Sequence, residues 1–400
     1  MRPIVNSMRR AACTLPLLAA VSTVAAIAQP AAAQMADSAG LVTVLGRDTL
    51  ALERWVRTPE RITAEAVVRS PRTSVRRYVV DLAPDGRMRR FEERVFDPAA
   101  AASAAPLRTE VVAAAEGGWT RTVTQGDSTV TGRVDAPADA LPWVDLVHWP
   151  FELVLMRARG GQGGPAPMMS GGRALAYTAT PAEGGGWTLR HPLRGPSVAQ
   201  TDAQGRLVSL DAAATTRKVI VTRVPWLQWE DAAARWAQAD REGRGMGELS
   251  GRGRTEETVA GASILVDYGT PTRRGRDIFP GVVRWGEVWR TGANRATHFT
   301  TDRALVFTGA DGATLQVPAG AYTLFSIPQE DGGWLIINRQ TGQNGTAYDA
   351  AQDLGRVRMA RTAVAEPVET FTIAVEPADA GGTLRLSWDR SAFSVPFRVQ

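Results

Sequence analysis

The chain has 400 residues, 44% of them hydrophobic and 22% charged, with three histidines and one cysteine, Cys13. A lone cysteine excludes an internal disulfide, and its place ahead of an apolar run leaves the rest of the chain without a thiol nucleophile, a thiolate metal site or redox chemistry. The first 33 residues hold three arginines and no acid; without them 43 basic side chains face 41 acidic ones, so the pI of 9.9 is no footprint for nucleic acid or an anionic membrane.

MRPIVNSMRR is basic, TLPLLAAVSTVAAIA is apolar, and Ala31, Ala32 and Ala33 are small, which is the order of a secretory signal peptide. Cleavage is expected after Ala33, with Ala26-Ile27-Ala28 as the other site. The apolar run is too short for a comfortable membrane span, and no later stretch replaces it. The expectation is an exported protein, periplasmic or extracellular, with a signal peptide at 1–33 and no transmembrane segment.

LALERWV at 50–56 reads as a short helix. ITAEAVV, VRRYVVDL and MRRFEERVF then read as strands, with Asp85-Gly86 as a hairpin turn. TEVVAAA, WTRTVTQ and STVTGRV continue the series. The apolar stretch 141–159 carries Pro150, which suits the first turn of a helix. GGQGGPAPMMSGG at 160–172 reads as a flexible loop, and five further strands follow up to KVIVTRV. EGGW, EGGGW and DGGW each place glycines before a strand that begins with tryptophan, a hairpin with an aromatic anchor. WEDAAARWAQADR at 229–241 puts Trp229, Ala232, Ala233, Trp236 and Ala237 on one face of a helix, with acids in its first turn.

EGRGMGELSGRGR at 242–254 is glycine-rich and charged, and reads as a linker. Beyond it short strands crowd together, with Asp311-Gly312 and Asp331-Gly332 turns and no helix long enough to alternate with them. The fold class is therefore mainly β: an antiparallel β-rich N-terminal domain with a helix over 41–241, then a C-terminal antiparallel β-sandwich over 255–400.

Five blocks in this second half carry a family resemblance: YGTPTRRGRDIF (268–279), WGEVWRTGANRAT (285–297), PAGAYTLFSIP (318–328), GTAYD (345–349) and AEPVETFTI (365–373). In this order they resemble the bacterial family of domain of unknown function 2911, over about 262–400. The resemblance implies an exported β-rich domain and no particular activity. The chain departs from the family at TPT (270–272), where a basic residue is expected before the proline. By texture alone, the N-terminal strands are similar to the half-barrel lipoprotein carriers of the bacterial envelope.

No G-x-S-x-G, H-E-x-x-H, P-loop or dinucleotide fingerprint occurs, and the three histidines lie far apart, so neither a metal nor a cofactor is expected. The densest cluster of chemistry is RWGEVWRTGANRATHF at 284–299. Gly292 and Asn294 suit a tight turn, while Trp285 and Trp289 share a face and plug an edge of the sandwich. Arg290 then pairs with a carboxylate, Asp349 first, or turns outward to hold a sugar or small anion beside Tyr348 on a tryptophan platform. The candidate ligand-binding residues are Arg276, Trp289, Arg290, Asn294, Tyr348 and Asp349; catalytic residues stay unassigned. A third option is an apolar envelope ligand in an N-terminal cavity lined by Trp143, Trp149 and Phe151. The reading favoured is a non-enzymatic binding or envelope-associated protein. The alternative is an exported hydrolase of glycan or ester substrates that pairs Asp349 with another carboxylate such as Glu366.

Overall fold

The structure is a computed structural model that describes residues 37–100, 103–161 and 163–400; the expected signal peptide lies outside them. Both halves are built mainly of antiparallel sheet; the first also holds a small mixed sheet of Leu141–Pro142, Met168–Ser170 and Arg173–Leu175. The first half is a meander. Strands β1 (Asp37–Leu45), β2 (Asp48–Arg57), β3 (Arg61–Val68), β4 (Ser74–Leu82), β5 (Met88–Phe96), β6 (Arg108–Ala115), β7 (Gly118–Gln125) and β8 (Ser128–Val134) each pair with the next. Later strands, ending in Ile220–Val224, return to the other side of β1, where Gly40 faces Val224, and complete a sheet of 14 strands. The Asp85-Gly86 turn joins β4 to β5 as expected, with Gly86 at φ 78° and the Asp85 carboxylate accepting from the Arg87 N–H.

Helix α1 (Pro150–Gly161) starts at Pro150 and buries Phe151, Leu153, Val154 and Leu155 against one face of this sheet. Its approach explains why β2 resembles a helix in sequence. The inward side chains of β2 include Leu50, Glu53 and Trp55, and the buried glutamate breaks the apolar alternation. Glu53 is fully buried because its carboxylate accepts the backbone N–H groups of His148 (2.8 Å) and Trp149 (2.9 Å), just ahead of α1. The 50–56 segment is thus strand, not helix. The 163–172 stretch is also more ordered than its glycines suggest: Gly164–Pro165 and Met168–Ser170 are short strands. Helix α2 (Glu230–Arg241) lies on another surface of the sheet, where Trp229 and Ala233 pack with Val67, Val75 and Phe96.

The glycine-rich stretch 242–254 is a linker only in part. A strand starts inside it, at Ser250, and runs to Val259 paired with Ala262–Pro271. Gly253 serves that strand: a Cβ there would lie 2.5 Å from the Tyr268 ring.

The second half is one nine-stranded ladder folded over a single core rather than two separate sheets. Two strands, Asp353–Ala378 and Gly381–Val399, run through segments whose sequence reads as separate short strands. Their pairing shifts register between Ala363 and Val368 and again before Thr372, so the strands bend without ending. Pro367, which has no N–H to donate, sits at the first shift. Among the described residues no helix is long and apolar enough to cross a membrane.

The two sheets touch at the tip of the β1–β2 hairpin. The Arg47 N–H donates to the Arg274 carbonyl (3.0 Å), and Arg274 forms an ion pair with Asp48 (2.8 Å). Gly46, at φ 59°, makes this approach possible, since a Cβ there would lie 2.2 Å from the Arg274 carbonyl oxygen. A cleft opens beside this contact.

Candidate functional site

The C-terminal wall of the cleft is the loop that follows Trp285. Trp289 exchanges backbone hydrogen bonds with Ser326 (2.7 and 2.9 Å). Its ring stacks on Trp388 (centroids 5.8 Å apart, 17° between planes) and meets Phe371 edge-on. Trp285 stacks on Phe279, which also touches Trp289, so the two tryptophans do plug one edge of the core. Behind them the Thr291 hydroxyl donates to Ser326 Oγ (2.9 Å), and Thr297 Oγ1 donates to the Thr291 carbonyl (2.7 Å). Gly269 and Gly292 let the loop lie against its neighbouring strand: a Cβ on Gly269 would come within 1.9 Å of the Ala293 carbonyl oxygen.

This frame fixes Arg290. Its Nε donates to the Gly292 carbonyl (3.3 Å), and among the described residues no carboxylate lies within 4.0 Å of its guanidinium. Burial alone lowers its pKa; no acid raises it. Arg276 stands nearby with Nε and Nη2 donating to the carbonyls of Arg273 (2.9 Å) and Thr272 (2.6 Å), again without an ion pair among the described residues.

The N-terminal wall supplies Lys218, the one lysine of the chain. Its backbone is left-handed (φ 54°) and its Nζ donates to the Ala213 carbonyl (3.0 Å). Burial, then the Arg276 and Arg290 cations, push its pKa down. Arg194 and Arg217 share the same wall, both paired with Asp145. Although burial opposes ionisation, Arg217 and Arg194 hold the Asp145 carboxyl below its usual range.

Arg276, Trp289, Arg290, Asn294 and Tyr348 all border this cleft of about 730 Å³. The sequence thus brings five of its six candidate residues to one place. Tyr348 offers the cleft its ring rather than a free hydroxyl, because the hydroxyl is tied to Asp353 (2.7 Å) and Arg356 (2.9 Å). Trp388 also lines the cleft, and its buried indole N–H has no acceptor among the described residues.

Asp349 is the exception. Its Oδ1 accepts from the Ala351 N–H (3.0 Å) and caps a single helical turn, so it neither lines the cleft nor pairs with Arg290. Glu366 is exposed on the long 353–378 strand and is not at the cleft either. The expected carboxylate pair for hydrolysis is therefore not assembled. The N-terminal apolar cavity is corrected as well: Trp149 and Phe151 are packed in the core, and the one space that Trp143 and Phe151 line together among the described residues is about 50 Å³, the larger spaces at Trp143 being lined by neither Trp149 nor Phe151. That volume suits water, not an envelope ligand. The N-terminal contributors Lys218, Arg194 and Arg217 were absent from the sequence-based set. The one sequence signal that could have pointed to any of them is the singularity of Lys218 among 45 arginines.

In class the molecule is a mainly antiparallel β-protein of two halves, with a cleft between them in which cations outnumber carboxylates. Residues 250–397 match the model of the family described as "Protein of unknown function (DUF2911)", so the likeness carried by the five sequence blocks holds for this part of the chain. No curated protein matches the chain.

Proposed function

We propose that the protein is a non-enzymatic, exported binding protein that holds an anionic small ligand between its two sheets, with Arg290 as the main cation. The observation that carries the reading is the Arg290 guanidinium, mostly buried yet without a carboxylate among the described residues. A guanidinium removed from water needs a planar acceptor, and the ligand supplies it. Lys218 and Arg276 add charge from both walls, and Trp289 and Trp388 give an apolar floor. Catalysis by acid–base carboxylates has less support: the cleft's carboxylates among the described residues are Asp145 and Glu248, Asp145 is held ionised by two arginines, and Asp349 lies elsewhere.

Calorimetric titration with sodium galacturonate, with glucose as the neutral control, tests the proposal. Wild type should bind the acid and not glucose, and Arg290→Met should weaken binding by at least about tenfold, the worth of a lost charge-assisted hydrogen bond. Equal affinity in wild type and Arg290→Met, or no binding of the acid by wild type, would overturn it. Export rests on the basic–apolar–small order of residues 1–33. Mass spectrometry of the protein from the cell envelope should find an N-terminus near Gln34; an intact Met1 there would remove that part of the proposal.

A further inference from the structure

The cleft does not end at Arg290. A second lobe of about 400 Å³ continues from it, and the two share Arg194, Arg217, Arg290, Asn294 and Thr346 as a neck. Each lobe alone lies within the roughly 300–1,000 Å³ of a small-ligand site, so together they accommodate more than one such unit. The second lobe adds Arg173 from the N-terminal half and Arg295 from the C-terminal half, both exposed and neither in an ion pair among the described residues. Among the described residues no carboxylate lines this lobe. His191, which does, stays uncharged at neutral pH: burial and then Arg194 lower its pKa to about 4, and its Nδ1 already accepts from the Leu193 and Arg194 N–H groups. The concentration of positive charge is local, since beyond residue 33 the chain is nearly balanced.

Charge is only half of the lining. Ser170, Thr216, Asn344 and Thr346 offer hydroxyl and amide groups, and the neck is flanked by Leu193 and, in the first lobe, Val288, two exposed apolar side chains. Trp143 closes the far lobe with the Arg194 guanidinium 4.8 Å over its ring. A uniformly charged phosphate chain has no use for the amide, hydroxyl and apolar surfaces. A chain of sugar rings has hydroxyl edges, apolar ring faces and, when acidic, one negative group per unit. From this geometry, and resting on the binding role proposed above, we infer that the ligand is an acidic oligosaccharide. One of its anionic groups sits among Lys218, Arg276 and Arg290, and a later one sits between Arg173 and Arg295.

The test compares galacturonic acid with its trimer and hexamer by tryptophan fluorescence and calorimetry at fixed salt. Neutral maltohexaose and inorganic polyphosphate are the controls. The trimer should bind at least about tenfold more tightly than the monomer. In Arg173→Gln/Arg295→Gln the trimer-to-monomer ratio should collapse towards one; both residues are exposed, and unchanged thermal melts would show that the fold persists. A trimer no tighter than the monomer, a ratio that survives the double substitution, or polyphosphate binding more tightly than the hexamer would overturn the inference. These outcomes are separable from failure of the binding role itself, which would appear as no binding of the monomer or as indifference of monomer binding to Arg290→Met.

Discussion

The two walls of the cleft use arginine in opposite ways. On the N-terminal wall Arg194 and Arg217 converge on Asp145, and their charge is largely answered within the protein. On the C-terminal wall, among the described residues, Arg290 and Arg276 lean only on backbone carbonyls. A carbonyl orients a guanidinium but does not neutralise it, so the second wall keeps a field that the first has mostly cancelled. The same contrast runs through one loop. Trp289 is held by Trp388, Phe371 and Ser326, whereas its neighbour Arg290 has a fixed position and, among the described residues, no counter-charge within 4.0 Å. Position and partner are separate properties, and a side chain with the first but not the second is poised for something outside the fold.

The largest test of this contrast compares those neighbours. Trp289→Ala should cost about 3–5 kcal/mol in denaturant melts, because the cavity left among three aromatic rings cannot collapse. Arg290→Met should change stability by less than about 1 kcal/mol, since no ion pair is broken. A stability loss in Arg290→Met as large as that in Trp289→Ala would erase the distinction.

The next effect is set by pH. The folded-state pKa of His191 is lowered to about 4, below its unfolded value, so its contribution to stability is present above about pH 6.5 and is lost as pH falls through about 4. The full loss is about 3 kcal/mol. Melts of wild type and His191→Gln between pH 7 and 3.5 should converge at the acid end; a constant gap between them would show that His191 titrates normally.

The smallest effect concerns Asp349. Asp349→Ala should cost roughly 0.5–1 kcal/mol, the loss of one cap. Combined with Arg290→Met it should be additive within about 0.5 kcal/mol, as expected of residues that share no partner. Strong coupling between them would restore the ion pair that the geometry denies.

That pair shows where the sequence was legible and where it was not. The tight turn, the tryptophan plug and five cleft residues follow from local patterns in 268–297 and 345–349, which the fold keeps near one another. The direction of one side chain does not follow: Asp349 was placed by neighbouring blocks, yet the N–H two residues on had already claimed it. β2 misled for a related reason, since its inward Glu53 answers to N–H groups nearly 100 residues away. The opposite wall of the cleft was out of reach because Lys218 meets Arg276 and Arg290 only after both sheets have folded. Gly253 looked like linker because the Tyr268 ring that requires its lack of a Cβ lies on the paired strand.

The single lysine gives the most direct measurement of the central claim. Acylation of the Lys218 amine by a small succinimidyl ester can be followed by mass spectrometry and resolved from the N-terminus. An anion bound between the walls covers the amine and raises its pKa, and both effects slow the reaction. With saturating galacturonate the Lys218 rate should fall at least about fivefold while the N-terminal rate stays constant, and the protection should vanish in Arg290→Met. An unchanged Lys218 rate under conditions in which calorimetry detects binding would place the ligand elsewhere and contradict the account.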